Sequence, residues 1–249
     1  TAFDAATDMV GLLGPGASMA KIDIKHAFRL CPVRPEDYPL LGIFWNNAYY
    51  VDTRLPFGSR SSPYIFNSFA DALCWILITV GGVAHIIHYL DDFFMAAMDH
   101  KGCSRVVNTV SQIFQYLGVP IATDKLEGPA TTITYLGIEI DSVQQTTRLP
   151  IEKVVDLRNL LQQLHQKRKC KKAELRSLIG KLGFAARVIK PGRLFLRHLI
   201  NLSTRVKEDH HYVTLSTEAK ADLKWWYDAL VDFNGISYIL PAFTDSDTL

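Results

Sequence analysis

The chain has 249 residues, 48% hydrophobic and 21% charged, with a formal net charge of +2. This is ample for a packed core in one large domain or two smaller ones. No apolar run is long enough to span a bilayer, and Cys31, Cys74, Cys103 and Cys170 show neither metal-ligand spacing nor a disulfide framework. Free thiols fit an intracellular protein, cytoplasmic or nuclear, with no membrane partner. The first residue is Thr, which marks a piece of a longer polypeptide.

In chain order, Ala2 to Leu13 has helical spacing and stops at Gly14-Pro15-Gly16. Met19 to Ile24 reads as a strand that delivers Asp23. Leu40–Trp45 and Ala48–Val51 flank Asn46-Asn47, a hairpin signal. Leu55-Pro56-Phe57-Gly58 reads as a turn. A helix is predicted from Tyr64 to about Thr79, with Ser62 the candidate cap and Pro63 at its first position. The apolar runs 84–90 and 93–97 then bracket Asp91-Asp92, read as strand, two-residue turn, strand. His85 and His88 would face opposite sides of such a strand and share no metal. Ser104 to Leu117 reads as an amphipathic helix, and Thr132 to Asp141 as strand-rich, with Gly137 easing a close backbone approach.

The pattern changes at Leu149-Pro150. Ile151, Val154, Val155, Leu157, Leu161 and Leu164 predict one helix face. Leu175, Leu178, Ile179, Leu182, Ala186 and Ile189 predict a second, ended by Pro191-Gly192. Lys167 to Lys172 reads as a basic loop between them. Ser216 caps a further helix, with Ala219, Leu223, Trp226, Tyr227 and Leu230 inward. The fold class is therefore α+β, an antiparallel sheet packed on helices, followed by a mainly helical region. Residues 148–207 hold 16 Lys/Arg against 3 Asp/Glu, a balance of +13, and the remainder holds 11 against 22, a balance of −11. A basic block of that length is read as a footprint for a phosphate backbone.

Alone, an Asp-Asp turn is a polar turn, because Asp favours turns. Two adjacent anions nonetheless repel unless a cation is shared, and hard oxygens suit Mg2+ or Mn2+. Asp23, an acid in an apolar strand, is costly to bury without such a partner.

At this point the residues resemble those of reverse transcriptases. The blocks are Lys21 to Val33, Leu55 to Phe66, Tyr89-Leu90-Asp91-Asp92, Gly118 to Lys125, and Tyr135-Leu136-Gly137-Ile138, in the order and spacing of the palm motifs of retroelement polymerases. Leu175 to Leu182, Pro191-Gly192-Arg193, Asp222 to Trp226 and Phe233-Asn234-Gly235 resemble the DIRS-type retrotransposon branch. Phe243-Thr244-Asp245-Ser246 resembles the first strand of a ribonuclease H domain, although Asp247 departs from the usual motif.

The resemblance implies an RNA-directed DNA polymerase that joins a dNTP to a primer 3′-hydroxyl on an RNA or DNA template. It implies a palm over 1–148, with fingers largely missing upstream, a helical thumb or connection over 149–240, and a truncated ribonuclease H strand over 241–249. Asp23, Asp91 and Asp92 would hold two Mg2+ ions, with Mn2+ an alternative and Asp92 the more peripheral ligand. Phe28 matches the steric gate that senses a 2′-hydroxyl. Phe57, Gly58 and Lys125 would border the nucleotide; Phe57 stands where some viral relatives have Gln. Tyr135, Leu136 and Gly137 match the primer grip. Arg176, Lys181, Arg187 and Arg193 would contact the nucleic-acid backbone. The alternative is a truncated or domesticated remnant that binds nucleic acid without catalysis. Oligomeric state is left open.

Overall fold

The structure, a computed structural model, describes residues 1–232 and 235–239. The sequence readings at Phe233-Asn234 and over 241–249, including Asp245 and Asp247, lie outside the described residues. The chain forms two compact units, one of residues 1–135 with 142–145 and one of residues 136–141 with 146–239.

In the first unit, α1 (Ala2–Leu13) begins with a reciprocal cap between the Thr1 hydroxyl and Asp4, and buries Phe3, Ala6 and Val10. Next come β1 (Ser18–Asp23), β2 (Gly42–Trp45), β3 (Ala48–Val51) and α2 (Ser62–Thr79). They are followed by β4 (Ile86–Tyr89), β5 (Asp92–Ala97), α3 (His100–Tyr116), β6 (Glu127–Ala130) and β7 (Thr132–Tyr135). The main sheet has the order β4-β5-β1-β6, antiparallel throughout. Alternation fixes which face is buried. Ala20, Ile22, Phe93 and Met95 pack with Phe66, Leu73 and Leu77 of α2 and Cys103, Val110 and Phe114 of α3 in one core.

Asn46 and Asn47 take φ 49° and 58°, as the two central residues of a type I′ turn require. The β2–β3 hairpin that they close is apolar, yet Ile43, Phe44, Trp45, Tyr49 and Tyr50 are all exposed.

In the second unit, β8 (Ile138–Asp141), β9 (Thr146–Arg148) and β12 (Ile236–Tyr238) pair antiparallel in the order β8-β9-β12. Helices α4 (Ile151–Gln166), α5 (Lys172–Ala185), α6 (Arg197–Ser203) and α7 (Thr217–Asp232) make the body, and β10 (Lys169–Lys171) pairs with β11 (Tyr212–Thr214). Trp226 is fully buried at its centre and donates its indole N–H to the Phe195 carbonyl at 3.2 Å. Phe195 also stacks on Trp225 with centroids 3.8 Å apart.

Several local readings are corrected. Ser62 lies inside α2, where its hydroxyl donates to the Pro56 carbonyl instead of capping the helix. α3 starts a turn earlier than Ser104, because Asp99 accepts from the Gly102 amide and caps it there. Ile151 and Val155 of α4 are exposed, so its buried face is Val154, Leu157, Leu161 and Leu164. α5 ends at Ala185, short of Ile189. The basic stretch 167–172 is not all loop, since Cys170 is buried in β10. The Ser216 hydroxyl does accept from the Ala219 amide at the start of α7. Ala219, Leu223, Trp226 and Leu230 point inward, whereas Tyr227 is only half-buried.

Among the described glycines of the second unit, Gly192 leaves the least room, and an added Cβ would run into the six-membered ring of Trp226. Gly192→Ala is therefore expected to lower stability by about 1–3 kcal/mol, as overpacking does. Urea unfolding measures this; an unchanged midpoint would contradict the packing described.

Candidate active site

Asp23 ends β1 and Asp92 begins β5, and the two are direct cross-strand partners. Directly opposed residues share a face, so both carboxylates lie on the side of the sheet away from the α2–α3 core. Asp91 occupies the connecting turn. The turn residues are Leu90 and Asp91, not Asp91 and Asp92 as the apolar runs suggested, because Tyr89 pairs with Asp92 and closes the hairpin one residue earlier. Leu90 sits at φ 54°, an unfavourable conformation for a branched side chain. The Ile24 amide donates to the Asp91 carbonyl at 2.9 Å and ties the turn to the end of β1.

Lys125 arrives on a segment held to the same strand end. The Lys25 amide donates to the Pro120 carbonyl, and the Ala122 amide to the Asp23 carbonyl, each at 2.9 Å. The Lys125 ammonium then donates to both Asp23 oxygens at 3.2 and 3.3 Å. That bond raises the ammonium pKa above its ordinary value, and the charges of Asp23 and Asp91 add to it.

The remaining two carboxylates are only partly compensated, Asp91 by Lys125 and Asp92 by Lys21. Burial pushes the Asp91 carboxyl up, and the neighbouring Asp23 pushes it further. Asp92 is raised from 3.8 to about 6, first by burial, with Lys21 opposing and Asp23, Asp91 and Glu127 reinforcing the rise. Lys21, two residues before Asp23 on the same face, is drawn to Glu127 at 2.8 Å and to the Thr134 carbonyl at 2.9 Å. Lys21 was absent from the sequence-based site, although the period-2 alternation could have found it. Glu127 had no such signal.

Tyr135 is fully buried against Phe94, with ring centroids 4.9 Å apart, and burial plus the Asp92 charge raise its phenol pKa. Its hydroxyl has no hydrogen-bond partner. Leu136 and Gly137 follow at φ 48° and 77°, and the Lys153 ammonium donates to the Gly137 carbonyl at 2.8 Å. Phe28 is half-buried, with ring centroids 5.3 Å from Phe57 and 5.7 Å from Phe66. Phe57 is itself exposed, and Gly58 takes φ 86°. In the second unit Arg176, Lys181, Arg187 and Arg193 are all exposed. The Arg176 guanidinium is already held by both Asp209 oxygens at 2.9 Å.

The structure thus gathers Asp23, Asp91, Asp92 and Lys125 at one strand end, while the four basic residues belong to the second unit. Among the described residues no three His, Cys, Asp or Glu side chains close round a common point. The donor chemistry still fits a hard divalent cation. The carboxylates are oxygen-only, burial and then the neighbouring carboxylates raise two of their pKa values, and an ammonium already sits on the third.

Residues 7–140 match the family described as reverse transcriptase (RNA-dependent DNA polymerase). The chain is 25% identical over 122 residues to the Gag-Pol polyprotein of Gibbon ape leukemia virus, covering 47% of this chain and 7% of that protein. It is 22% identical over 213 residues to the Pro-Pol polyprotein of Simian foamy virus type 3, covering 84% and 17%. It is 24% identical over 231 residues to the Gag-Pro-Pol polyprotein of Mason-Pfizer monkey virus, covering 88% and 12%. The chain therefore spans less than a fifth of these polyproteins.

Two solved structures of the foamy viral protease-reverse transcriptase share the fold. The one in complex with RNA/DNA hybrid has TM-score 0.68 and 20% identity, over 90% of this chain and 29% of that one. The one in complex with dsDNA has TM-score 0.66 and 20% identity, over 94% and 46%.

The raised Asp92 carboxyl has a stability consequence. The folded state binds this proton more tightly than the unfolded state. The contribution is therefore full below about pH 4 and lost as pH rises through about 6. Without divalent ions, Asp92→Asn is expected to stabilise the protein at pH 8 by about 1–2 kcal/mol, after allowance for solvent screening, and to change little at pH 4. Urea midpoints at the two pH values measure this; equal shifts at both would contradict the site electrostatics.

Proposed function

The chain belongs to the reverse transcriptase (RNA-dependent DNA polymerase) family, of the retroviral and retroelement type, and we propose that it forms the catalytic palm and thumb of an RNA-directed DNA polymerase. The observation that carries the proposal is the pairing of Asp23 with Asp92 across two strands, with Asp91 on the turn beside them. In this reading residues 1–148 are palm and 149–240 thumb or connection. The motifs on α5 and α7 support a DIRS-type parent, with a ribonuclease H domain opening at 241–249.

Asp23, Asp91 and Asp92 would hold two Mg2+ ions, or Mn2+, by carboxylate oxygens. When bound, such ions lower the pKa of the primer 3′-hydroxyl and neutralise the charge that develops on the transferred phosphate. The protein's own part is positioning. β1 and β5 fix the carboxylates in register, so little reorganisation accompanies the reaction. Lys125, tethered beside Asp23 and 61% exposed, is placed to meet the triphosphate of a dNTP. Phe28, braced by Phe57 and Phe66, offers a rigid wall where a 2′-hydroxyl would have to fit. Tyr135-Leu136-Gly137 would steady the primer end, with Lys153 holding the Gly137 carbonyl. Lys181, Arg187 and Arg193 present exposed cations suited to a template–primer duplex; Arg176 must first leave Asp209. The four unpaired cysteines support a reducing location, cytoplasmic or nuclear.

In the polypeptide that carries this chain, Asp91→Asn is expected to lower primer extension by at least about 10²-fold, while hybrid affinity stays within about twofold. Single-turnover extension and filter binding measure the two effects. Extension at the unmutated rate would remove the catalytic assignment.

Phe28→Ala is expected to raise ribonucleotide over deoxynucleotide incorporation by about tenfold, because the wall is gone. An unchanged ratio of kcat/KM values would remove Phe28 from the nucleotide pocket.

A further inference from the structure

The turn that carries Asp91 is held by a polar chain running up from helix α2, and its central member is His88. This side chain was set aside in the sequence as a strand histidine with no metal to share. It is 9% exposed, and its ring stacks on Phe93 with centroids 5.2 Å apart. Its Nδ1 lies 3.3 Å from the Leu90 carbonyl oxygen, and its Nε2 lies 2.9 Å from Oδ1 of Asp71. The other Asp71 oxygen accepts from the Asn67 side-chain amide at 3.0 Å. Asn67 and Asp71 are one turn apart on α2, so their arrangement is set by a regular helix.

Two features make this more than an incidental pair. Leu90 is the residue at φ 54°, and such a backbone persists only where its surroundings hold it. The hydrogen bond from His88 falls on that residue's carbonyl, one peptide before Asp91. Second, both ring nitrogens face acceptors, a carbonyl and a carboxylate. A carbonyl oxygen only accepts, so the contact with Leu90 is a hydrogen bond in the tautomer that carries its proton on Nδ1. The stack on Phe93, a core residue, leaves the ring little freedom to turn away.

We propose that His88 is the positioning residue of the carboxylate turn, and that Asp71, steadied by Asn67, holds the His88 ring so that it fixes the Leu90–Asp91 peptide. His88 touches no reacting atom in this scheme. It acts through the backbone of Leu90 and so through the placement of Asp91. The proposal rests on the polymerase reading for its catalytic consequence, but the structural claim stands without it.

The test uses the whole parent polypeptide and three variants. His88→Ala removes both bonds. His88→Gln keeps an amide able to donate to the Leu90 carbonyl. Asp71→Ala changes an exposed residue, and it leaves the ring without its anchor. Backbone hydrogen exchange across residues 89–92 is expected to quicken about tenfold in His88→Ala and about threefold in Asp71→Ala. His88→Gln is expected to return it to within about twofold of the unmutated protein.

In primer extension, kcat is expected to fall about tenfold in His88→Ala with the dNTP KM within about twofold, and to recover in His88→Gln. A fall in KM-governed binding with kcat intact would overturn the proposal, as would turn exchange unchanged in both His88→Ala and Asp71→Ala. If His88→Ala fails to fold, Asp71→Ala decides. If the unmutated polypeptide extends no primer, the polymerase reading fails, and the exchange measurement still decides whether His88 holds the turn.

Discussion

The site depends on the register between β1 and β5. Ile22 opposite Phe93 and Ala20 opposite Met95 are buried against α2 and α3, and this leaves Asp23 opposite Asp92. A slip of one residue would turn the core set outward and carry the carboxylates to opposite faces, so apolar burial specifies the placement of the charges. The same pairing sets the turn. Tyr89 with Asp92 closes the hairpin, and the Ile24 amide reaches the Asp91 carbonyl only at that register. Lys125 is placed by backbone bonds to the same strand end. The candidate site is thus assembled where a well-packed ladder runs out, which is where backbone strain and exposed charge can be tolerated.

Charge at this strand end is arranged in unequal pairs. Asp23 has Lys125 and Glu127 has Lys21, each within ion-pair distance, while Asp91 and Asp92 feel those ammoniums only through space and remain raised by burial and by their carboxylate neighbours. Stability at neutral pH is given up for a site with an unmet demand for positive charge. Natural proteins commonly trade one for the other at functional positions.

Much of this was legible in the sequence where local chemistry is decisive. The helix 2–13, the strand that delivers Asp23, the Asn46-Asn47 turn and the Ser216 cap each follow from residue type and spacing within a few positions. The union of Asp23 with the Asp91-Asp92 region came from the resemblance and from the cost of an unpartnered acid, because no periodicity links residues 68 positions apart. What escaped was set by tertiary geometry. The turn lies one residue earlier because Tyr89 pairs with Asp92 and closes the hairpin there. The α4 face is narrower because Ile151 and Val155 stay exposed among the described residues. Glu127 on Lys21, and Asp71 on His88, are contacts between distant segments with no sequence signature of their own.

The β2–β3 hairpin has a consequence of another kind. It is a two-stranded ribbon, apolar on its surface, with both outer edges free of strand partners among the described residues. Such a ribbon combines sticky side chains with unpaired backbone groups, the two ingredients of edge-to-edge association. In dilute solution that matters little. At the concentrations used for crystals or spectroscopy it makes this ribbon, with Trp45 and Tyr49 largely exposed, a template on which a second copy of the isolated chain can pair.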